Sequence, residues 1–140
     1  MTAVTIKGVE YDLEGTFANP ELNALMFLKA HEGLTLRELY DGFQLIGKAE
    51  EAAQVRRDAG DPDAPTSLEV MFDLLSDEVQ LNAFRGFVWL LKTNQGERAA
   101  DGRFLTIEAA NKGVGLNDIL FPEEPADAVD PTEGDSAPPS

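Results

Sequence analysis

Apolar and polar residues alternate near the start of the chain and change to helical spacing soon afterwards. The alternating apolar residues are Val4, Ile6, Val9, Tyr11 and Leu13. A period of two is typical of a strand with one buried face, and Lys7-Gly8 in the middle marks a turn. This pattern predicts a β-hairpin at about residues 4–13. Two strands alone are only marginally stable in water, so we expect the hairpin to pack against helices.

The next segment carries the residues that begin and end a helix. Asn19-Pro20-Glu21 combines an N-cap residue, a proline suited to the first turn and an acidic residue that favours the positive end of the helix dipole. Gly33 marks the end of this helix. The apolar stripe that we predict for it consists of Leu22, Leu25 and Met26, with Leu28 beside it.

Two further helices are predicted by capping boxes. Segments 35–38 and 66–69 each place a threonine three residues before a glutamate. At the start of a helix, each of these two side chains can accept a hydrogen bond from the backbone N–H of the other residue. Residues 47–59 contain strong helix formers but few apolar side chains, which predicts a solvated helix or an extension of the preceding one. The glycine and prolines of residues 60–65 interrupt that helix.

The helical pattern that starts after Thr66 runs to about Thr93. One unbroken helix of that length would span about 40 Å, whereas a domain of this size has a diameter of roughly 35 Å. Ser76-Asp77-Glu78 offers a cap and an acidic first turn, so we predict a break near Ser76. Residues 94–104 are predicted as a loop, and Thr106–Asn111 as a short helix.

The helix around residues 81–91 is the most apolar part of the chain. At about 100° per residue, one face holds Leu81, Phe84, Phe87, Val88 and Leu91, which we predict to be core. The other face holds Ala83, Gly86, Trp89 and Leu90. Either this helix is central and packs on both faces, or these four residues bind a partner helix or a second copy. We take them as candidate partner-binding residues, with Trp89 as the natural hot spot.

Acidic residues greatly outnumber basic ones, 26 against 11 among 140 residues, for a net charge of −15. Residues 122–140 hold six of the acidic residues, no basic ones and five of the eight prolines, which predicts a disordered tail. Residues 1–121 keep 20 acidic against 11 basic residues, a net charge of −9. An acidic body disfavours nucleic acid. It suits a basic or neutral protein partner, or it serves solubility alone.

Residues that could carry chemistry are few. The chain has no cysteine, which excludes disulfides and thiolate sites, and His31 is the only histidine. His31 stands at the end of a predicted helix, where a cation favours the dipole. Asp58, Asp61 and Asp63 have the spacing of calcium ligands, but the prolines of that loop break the calcium-binding pattern. We therefore expect no catalytic residue, no metal and no cofactor.

Several parts of the chain resemble the tail assembly chaperones of long-tailed bacteriophages, most nearly those of phages that infect actinobacteria. These parts are the hairpin VTIKGVEYDL, the helix from Phe84 through Trp89, the segment Leu105–Glu108 and the ending LNDILF at residues 116–121. The resemblance implies a non-enzymatic protein that coats the helical tape measure protein, keeps it soluble and recruits tail tube subunits. It also implies a location in the host bacterial cytoplasm and absence from the mature virion.

Together these patterns predict a mainly α fold: a compact domain of four to six helices over residues 1–121, with an N-terminal β-hairpin, followed by a disordered acidic tail at 122–140. No apolar run approaches the ~20 residues that cross a bilayer, so we expect neither a membrane span nor a signal peptide. The leading hypothesis is a tail assembly chaperone. The alternative is an acidic phage-encoded inhibitor or nucleic-acid mimic that binds a host protein, which requires acidic residues ordered on one face. An enzyme that uses carboxylates alone is the least favoured.

Overall fold

A computed structural model describes residues 3–121 of the chain and begins with the expected hairpin. Strand β1 (Ala3–Ile6) pairs antiparallel with strand β2 (Val9–Asp12). The turn between them holds Lys7 and Gly8 at positive φ, 51° and 84°, as a tight two-residue hairpin turn requires. The predicted hairpin is therefore confirmed.

The chain passes directly from β2 into a helix that the sequence pattern did not predict. This helix, α1 (Leu13–Ala18), begins at Asp12, whose carboxylate accepts the backbone N–H of Gly15. Asn19 follows α1 as its C-cap residue, and its backbone N–H donates to the carbonyl of Gly15. The prediction that Asn19 is the N-cap residue of the next helix is wrong, because Asp12 begins an earlier helix, α1, and Asn19 is the C-cap residue of that helix.

Helix α2 (Leu22–Glu32) buries a different face from the one that its large side chains suggested. Its buried residues are Ala24 and Leu28, which are one helical turn apart. Leu22 and Met26 are 80% and 72% exposed. The predicted stripe through these two residues is therefore wrong, because α2 packs against α3, α5 and α6 through the face of Ala24 and Leu28.

The next two helices begin and end where their local signals predicted. Gly33 ends α2 with a φ of 69°, and Thr35 begins α3 (Leu36–Asp58) with a complete capping box. Helix α3 is continuous over 23 residues, so the polar stretch after its apolar half is an extension of it. A second complete capping box at Thr66 begins α4 (Ser67–Leu75). Both capping boxes are confirmed.

The predicted break near Ser76 is also confirmed. It separates α4 from α5 (Glu78–Asn94), and the side chain of Asp77 caps α5 by accepting the backbone N–H of Val79 at 3.3 Å. The cap is thus one residue later than the serine suggested. The aromatic segment of the sequence consequently lies in one helix of 17 residues.

The C-terminal part of the described chain returns to the hairpin. Helix α6 (Ile107–Asn111) begins at Thr106, as predicted. A 3-10 turn (Leu116–Asp118) then leads to the short strand β3 (Ile119–Leu120), which pairs antiparallel with β1. The sheet order is β2-β1-β3, so the last residues of the described chain form a sheet edge.

Helix α5 lies between two apolar cores and contributes one face to each. The first core joins the sheet with α1, α3 and α5 through Val4, Ile6, Tyr11, Leu13, Ile46, Phe84, Phe87, Val88, Leu91 and Ile119. The second core joins α2, α3, α5 and α6 through Ala24, Leu28, Leu39, Ala83, Trp89, Leu90, Ile107 and Ala110. The position of α5 between the two cores decides which of its residues can meet a partner.

The fold class predicted from the sequence is confirmed: residues 3–121 form a mainly helical structure of six α-helices with an N-terminal β-hairpin. Within these residues, no helix has both the length and the apolar character needed to cross a membrane. The predicted disordered tail at residues 122–140 lies outside the described residues.

Candidate partner-binding surface

The second face of α5, which was the candidate partner-binding patch, is buried. Ala83 is 5% exposed, and Trp89 and Leu90 are 0% exposed. Gly86 is buried as well, with Leu39 so close that a Cβ atom on the glycine would meet its Cδ2 at 2.8 Å. Residues of α2, α3 and α6 cover this face. Of the two alternatives, the structure therefore shows the central helix that packs on both faces, and the hypothesis of an open patch at these four residues is wrong because α2, α3 and α6 cover them.

Trp89 is the central side chain of the second core. Its indole N–H donates a hydrogen bond to the carbonyl oxygen of Leu105. Its ring stacks on Phe27 with centroids 5.5 Å apart and an interplanar angle of 8°, and meets the edge of Phe104 at 6.1 Å. Stacked, edge-on and hydrogen-bonded contacts are those that a fully buried tryptophan needs. Trp89 thus holds the loop before α6 against α5 and has no surface left for a partner.

Exposed apolar side chains instead line one face of α4. Leu68 and Phe72 are 38% and 55% exposed, and Leu75 is partly buried. These residues stand at positions i, i+4 and i+7, which share one face of a helix. We term this surface, formed by Leu68, Phe72 and Leu75, the α4 stripe.

The α4 stripe leads into an open groove between α4, α5 and the C-terminal part of the described chain. The groove has a volume of about 750 Å³ and shares Leu75 with the stripe. Its apolar wall consists of Leu75, Leu81, Phe84, Val114, Leu116 and Ile119. Leu81, which was predicted to belong to the core face of α5, is 39% exposed here. We term this space the α4–α6 groove.

The side of the groove that α6 forms is fixed to α5 by polar contacts. Asn111 Nδ2 donates to the carbonyl oxygens of Arg85 and Ile107 at 3.0 and 2.9 Å. Lys92 Nζ donates to the carbonyl oxygen of Ala110 at 2.8 Å. The bond from Lys92 satisfies a carbonyl group in the last turn of α6, and the bond from Asn111 to Arg85 joins the end of α6 to α5. The groove therefore has a preformed wall.

The groove also carries positive charge in an acidic body. Arg85 and Lys112 line it together with Glu108. Among the described residues, neither cation forms an ion pair, whereas cations elsewhere, such as Arg57 and Arg98, do. Because neither cation has a carboxylate partner within residues 3–121, the groove attracts acidic groups. Its apolar wall lies beside these cations, so the groove suits a ligand that carries both acidic and apolar side chains.

A second exposed apolar surface lies on α2. Leu22 and Met26 are the two most exposed large apolar side chains of the described chain, at 80% and 72%. They are one turn apart on α2, and neither lines the α4–α6 groove. We term them the α2 pair.

The residues considered earlier for chemistry have structural contacts. His31 packs against the ring of Phe27, with centroids 4.3 Å apart. The carboxylate of Asp61 accepts the backbone N–H of Asp63 and a guanidinium N–H of Arg56, both at 2.9 Å, and these bonds lower the pKa of Asp61. Over residues 3–121, no group of three or more histidine, aspartate or glutamate side chains is placed to hold a metal ion.

No protein-family model, no curated protein and no solved structure matches this chain. The α4 stripe and the groove are the described features that combine exposed apolar area with charge, and together they form the candidate partner-binding surface.

Proposed function

We propose that this protein is a bacteriophage tail assembly chaperone that binds the tape measure protein and helps to recruit tail tube subunits. The observation that carries the proposal is the continuous apolar surface formed by the α4 stripe and the α4–α6 groove. Apolar side chains at positions i, i+4 and i+7 lie along one face of α4. A partner helix that packs lengthwise against α4 would contact all three of them. A tape measure protein is a long helical client, and the sequence resemblance favours the same client.

The charge of the body supports a solubilising role. A client helix with an apolar face aggregates unless that face is covered, and the α4 stripe offers matching apolar cover. Residues 1–121 as a whole carry a net charge of −9, which keeps the resulting complex soluble through repulsion between complexes. Apolar cover and outward acidic charge are the two properties that such a chaperone requires.

Recruitment of tail tube subunits requires a second surface, which stays exposed when the tape measure protein is bound. The α2 pair supports this part of the proposal, because Leu22 and Met26 are exposed and do not line the groove. The same pair could instead bring two copies of the chain together, so self-association and tail tube binding compete for it.

Co-expression with fragments of the tape measure protein encoded in the same genome tests the proposal. We expect the wild-type chain to co-purify with a fragment that is insoluble alone. Phe72→Glu places a charge in the centre of the α4 stripe, where a bound client would have to desolvate it, so the affinity should fall about tenfold or more. Met26→Glu is the matched control, since it adds the same charge to an exposed apolar position on α2, and it should leave tape measure binding unchanged.

Each outcome has a distinct consequence. If no tape measure fragment binds the wild-type chain, the proposed function is wrong. If fragments bind but only Met26→Glu weakens them, the chaperone role holds and the client surface is the α2 pair. If Phe72→Glu releases the tape measure fragment while Met26→Glu releases only tail tube subunits, both parts of the proposal are supported.

A further inference from the structure

The described chain ends beside the groove. Phe121 packs near the rings of Phe43 and Phe84, with centroids 6.0 and 6.3 Å apart. Phe84 itself lines the groove, as does Ile119 two residues before Phe121. The segment that follows Phe121 therefore starts three residues after Ile119, a residue that lines the groove.

The sequence of that segment has the chemistry that the groove would bind. Residues 122–130 read PEEPADAVD, in which four acidic residues flank three small apolar ones. The carboxylates can pair with Arg85 and Lys112, while the alanine and valine side chains can cover part of the apolar wall. Nine extended residues span up to about 30 Å, so the segment is long enough to follow the groove.

Because the segment and the groove belong to one chain, a weak contact is sufficient. For a segment joined to the groove by a few residues of the same chain, we expect an effective concentration on the order of 1 mM. Exposed ion pairs contribute little individually. We therefore take a weak Kd, on the order of 1 mM, as the working value for binding of the segment to the groove. When the two values are equal, the segment occupies the groove in about half of the molecules.

We propose that residues 122–130 are a tethered, reversible occupant of the α4–α6 groove. The contact does not depend on the identity of any client. A further consequence rests on the proposed function: a client that uses the groove must displace the segment, and removal of the segment should raise the apparent client affinity about twofold.

A spin label tests the contact in the full chain. The chain has no cysteine, so Ala128→Cys provides a single attachment site. We expect the label to broaden the NMR signals of backbone amides along residues 108–116, which form one side of the groove. The comparison is a labelled chain of equal length in which the four acidic residues of 122–130 are changed to glutamine or asparagine. It should lose most of that broadening, and salt near 1 M should have the same effect on the acidic chain.

A matched pair of double variants assigns the contact to the groove. Arg85→Gln with Lys112→Gln removes the two cations of the groove and should also remove most of the broadening. Arg37→Gln with Lys48→Gln removes two exposed cations of α3 that do not line the groove, and should leave the broadening unchanged. Both variants change the net charge equally, so the general field of the protein cannot account for a difference between them.

Three results would overturn the proposal. The first is equal broadening in the acidic and neutralised chains, and the second is equal broadening in the two double variants. The third is broadening that passes from a spin-labelled chain to a separate isotope-labelled chain in a mixed sample, since it would assign the contact to a second copy. If the contact is present but no tape measure fragment binds, the tethered occupant stands and the proposed function fails.

Discussion

Trp89 shows how one side chain can couple two distant parts of the chain. Its ring lies between Phe27 of α2 and Phe104 of the loop before α6, and its N–H bonds the carbonyl of Leu105. Loss of the N–H would leave that carbonyl without its partner inside the second core. The cost of an unsatisfied buried acceptor is larger than the net value of the bond itself.

We predict that Trp89→Phe lowers the free energy of unfolding by about 1–3 kcal/mol, because it keeps an aromatic ring but leaves the carbonyl of Leu105 unpaired. Urea unfolding followed by circular dichroism measures the change. The control is Phe72→Ala, which removes an exposed aromatic ring and should change stability by less than about 0.5 kcal/mol. Equal effects of the two substitutions would show that the indole hydrogen bond does not stabilise the core.

Tyr11 gives the protein a pH dependence in the alkaline range. Its side chain is 3% exposed and its hydroxyl donates to a carboxylate oxygen of Glu97. Burial, followed by the hydrogen bond and the charge of Glu97, raises the pKa of Tyr11 above its ordinary value of 10.0. The unfolded chain therefore releases this proton at a lower pH than the folded protein does.

Stability should accordingly fall as the pH rises above 10, because the unfolded state then binds fewer protons than the folded state. Tyr11 contributes a slope of up to about 1.4 kcal/mol per pH unit to this fall. We expect Tyr11→Phe to be less stable than the wild type near neutral pH but to lose stability less steeply above pH ~10. Urea unfolding at a series of pH values measures both slopes, and parallel curves would contradict the assignment.

Helices α3 and α5 approach each other closely, and their glycines and alanines allow it. A Cβ atom on Gly42 of α3 would lie 3.2 Å from Cβ of Ala83, and one on Gly86 of α5 would lie 2.8 and 2.9 Å from methyl groups of Leu39 and Leu34. The small residues that suggested an external partner helix thus serve contact with helices of the same chain.

This close contact predicts opposite effects for one substitution at two helical positions. Gly47→Ala on α3 meets no atom within 4 Å, so it should stabilise the protein by about 0.5–1 kcal/mol through helix propensity. Gly86→Ala has the same gain in helix propensity, but its new methyl group must displace methyl groups of Leu34 and Leu39. This displacement costs about 1–3 kcal/mol. We therefore expect Gly86→Ala to be the less stable of the two by at least about 1 kcal/mol. Thermal unfolding of both variants checks this, and equal stabilities would contradict the close packing at Gly86.

The sequence predicts those elements well whose signals are local. The turn at Lys7-Gly8, the capping boxes at Thr35 and Thr66 and the stop at Gly33 depend only on residues a few positions away, and all four are confirmed. Helix α1 was missed because its cap, Asp12, also fits the end of a strand. A residue with two local uses cannot be assigned from its neighbours alone.

Faces of helices are predicted less well, because they depend on what covers them. The helical wheel divided α5 correctly into two apolar faces, yet only the packing of α2 and α6 shows that the face of Trp89 is closed. On α2 the wheel chose the larger Leu22 and Met26 over Ala24, although close packing favours the small residue. The groove could not be predicted either, since its walls come from two segments, residues 75–85 and 106–119, that the loop before α6 separates in the sequence.

Both cores use α5, so the described body should unfold as one unit. The first core depends on β3, whose Ile119 is 8% exposed and pairs with β1. Residues 122–140 hold six acidic residues and five prolines, a composition that does not favour burial in an apolar core. The boundary between the part of the chain that stabilises the fold and the part that modulates its surface is therefore expected at Phe121.

Two truncations test this boundary. A contact that is formed in about half of the molecules contributes only about 0.4 kcal/mol. Deletion of residues 122–140 should therefore change the unfolding temperature by about 2 °C or less. Deletion of residues 116–140 also removes β3 and the buried Ile119, which should cost about 2–5 kcal/mol and lower the unfolding temperature by roughly 10 °C or more. Calorimetry measures both, and an equally large loss from the shorter deletion would show that residues 122–140 belong to the core.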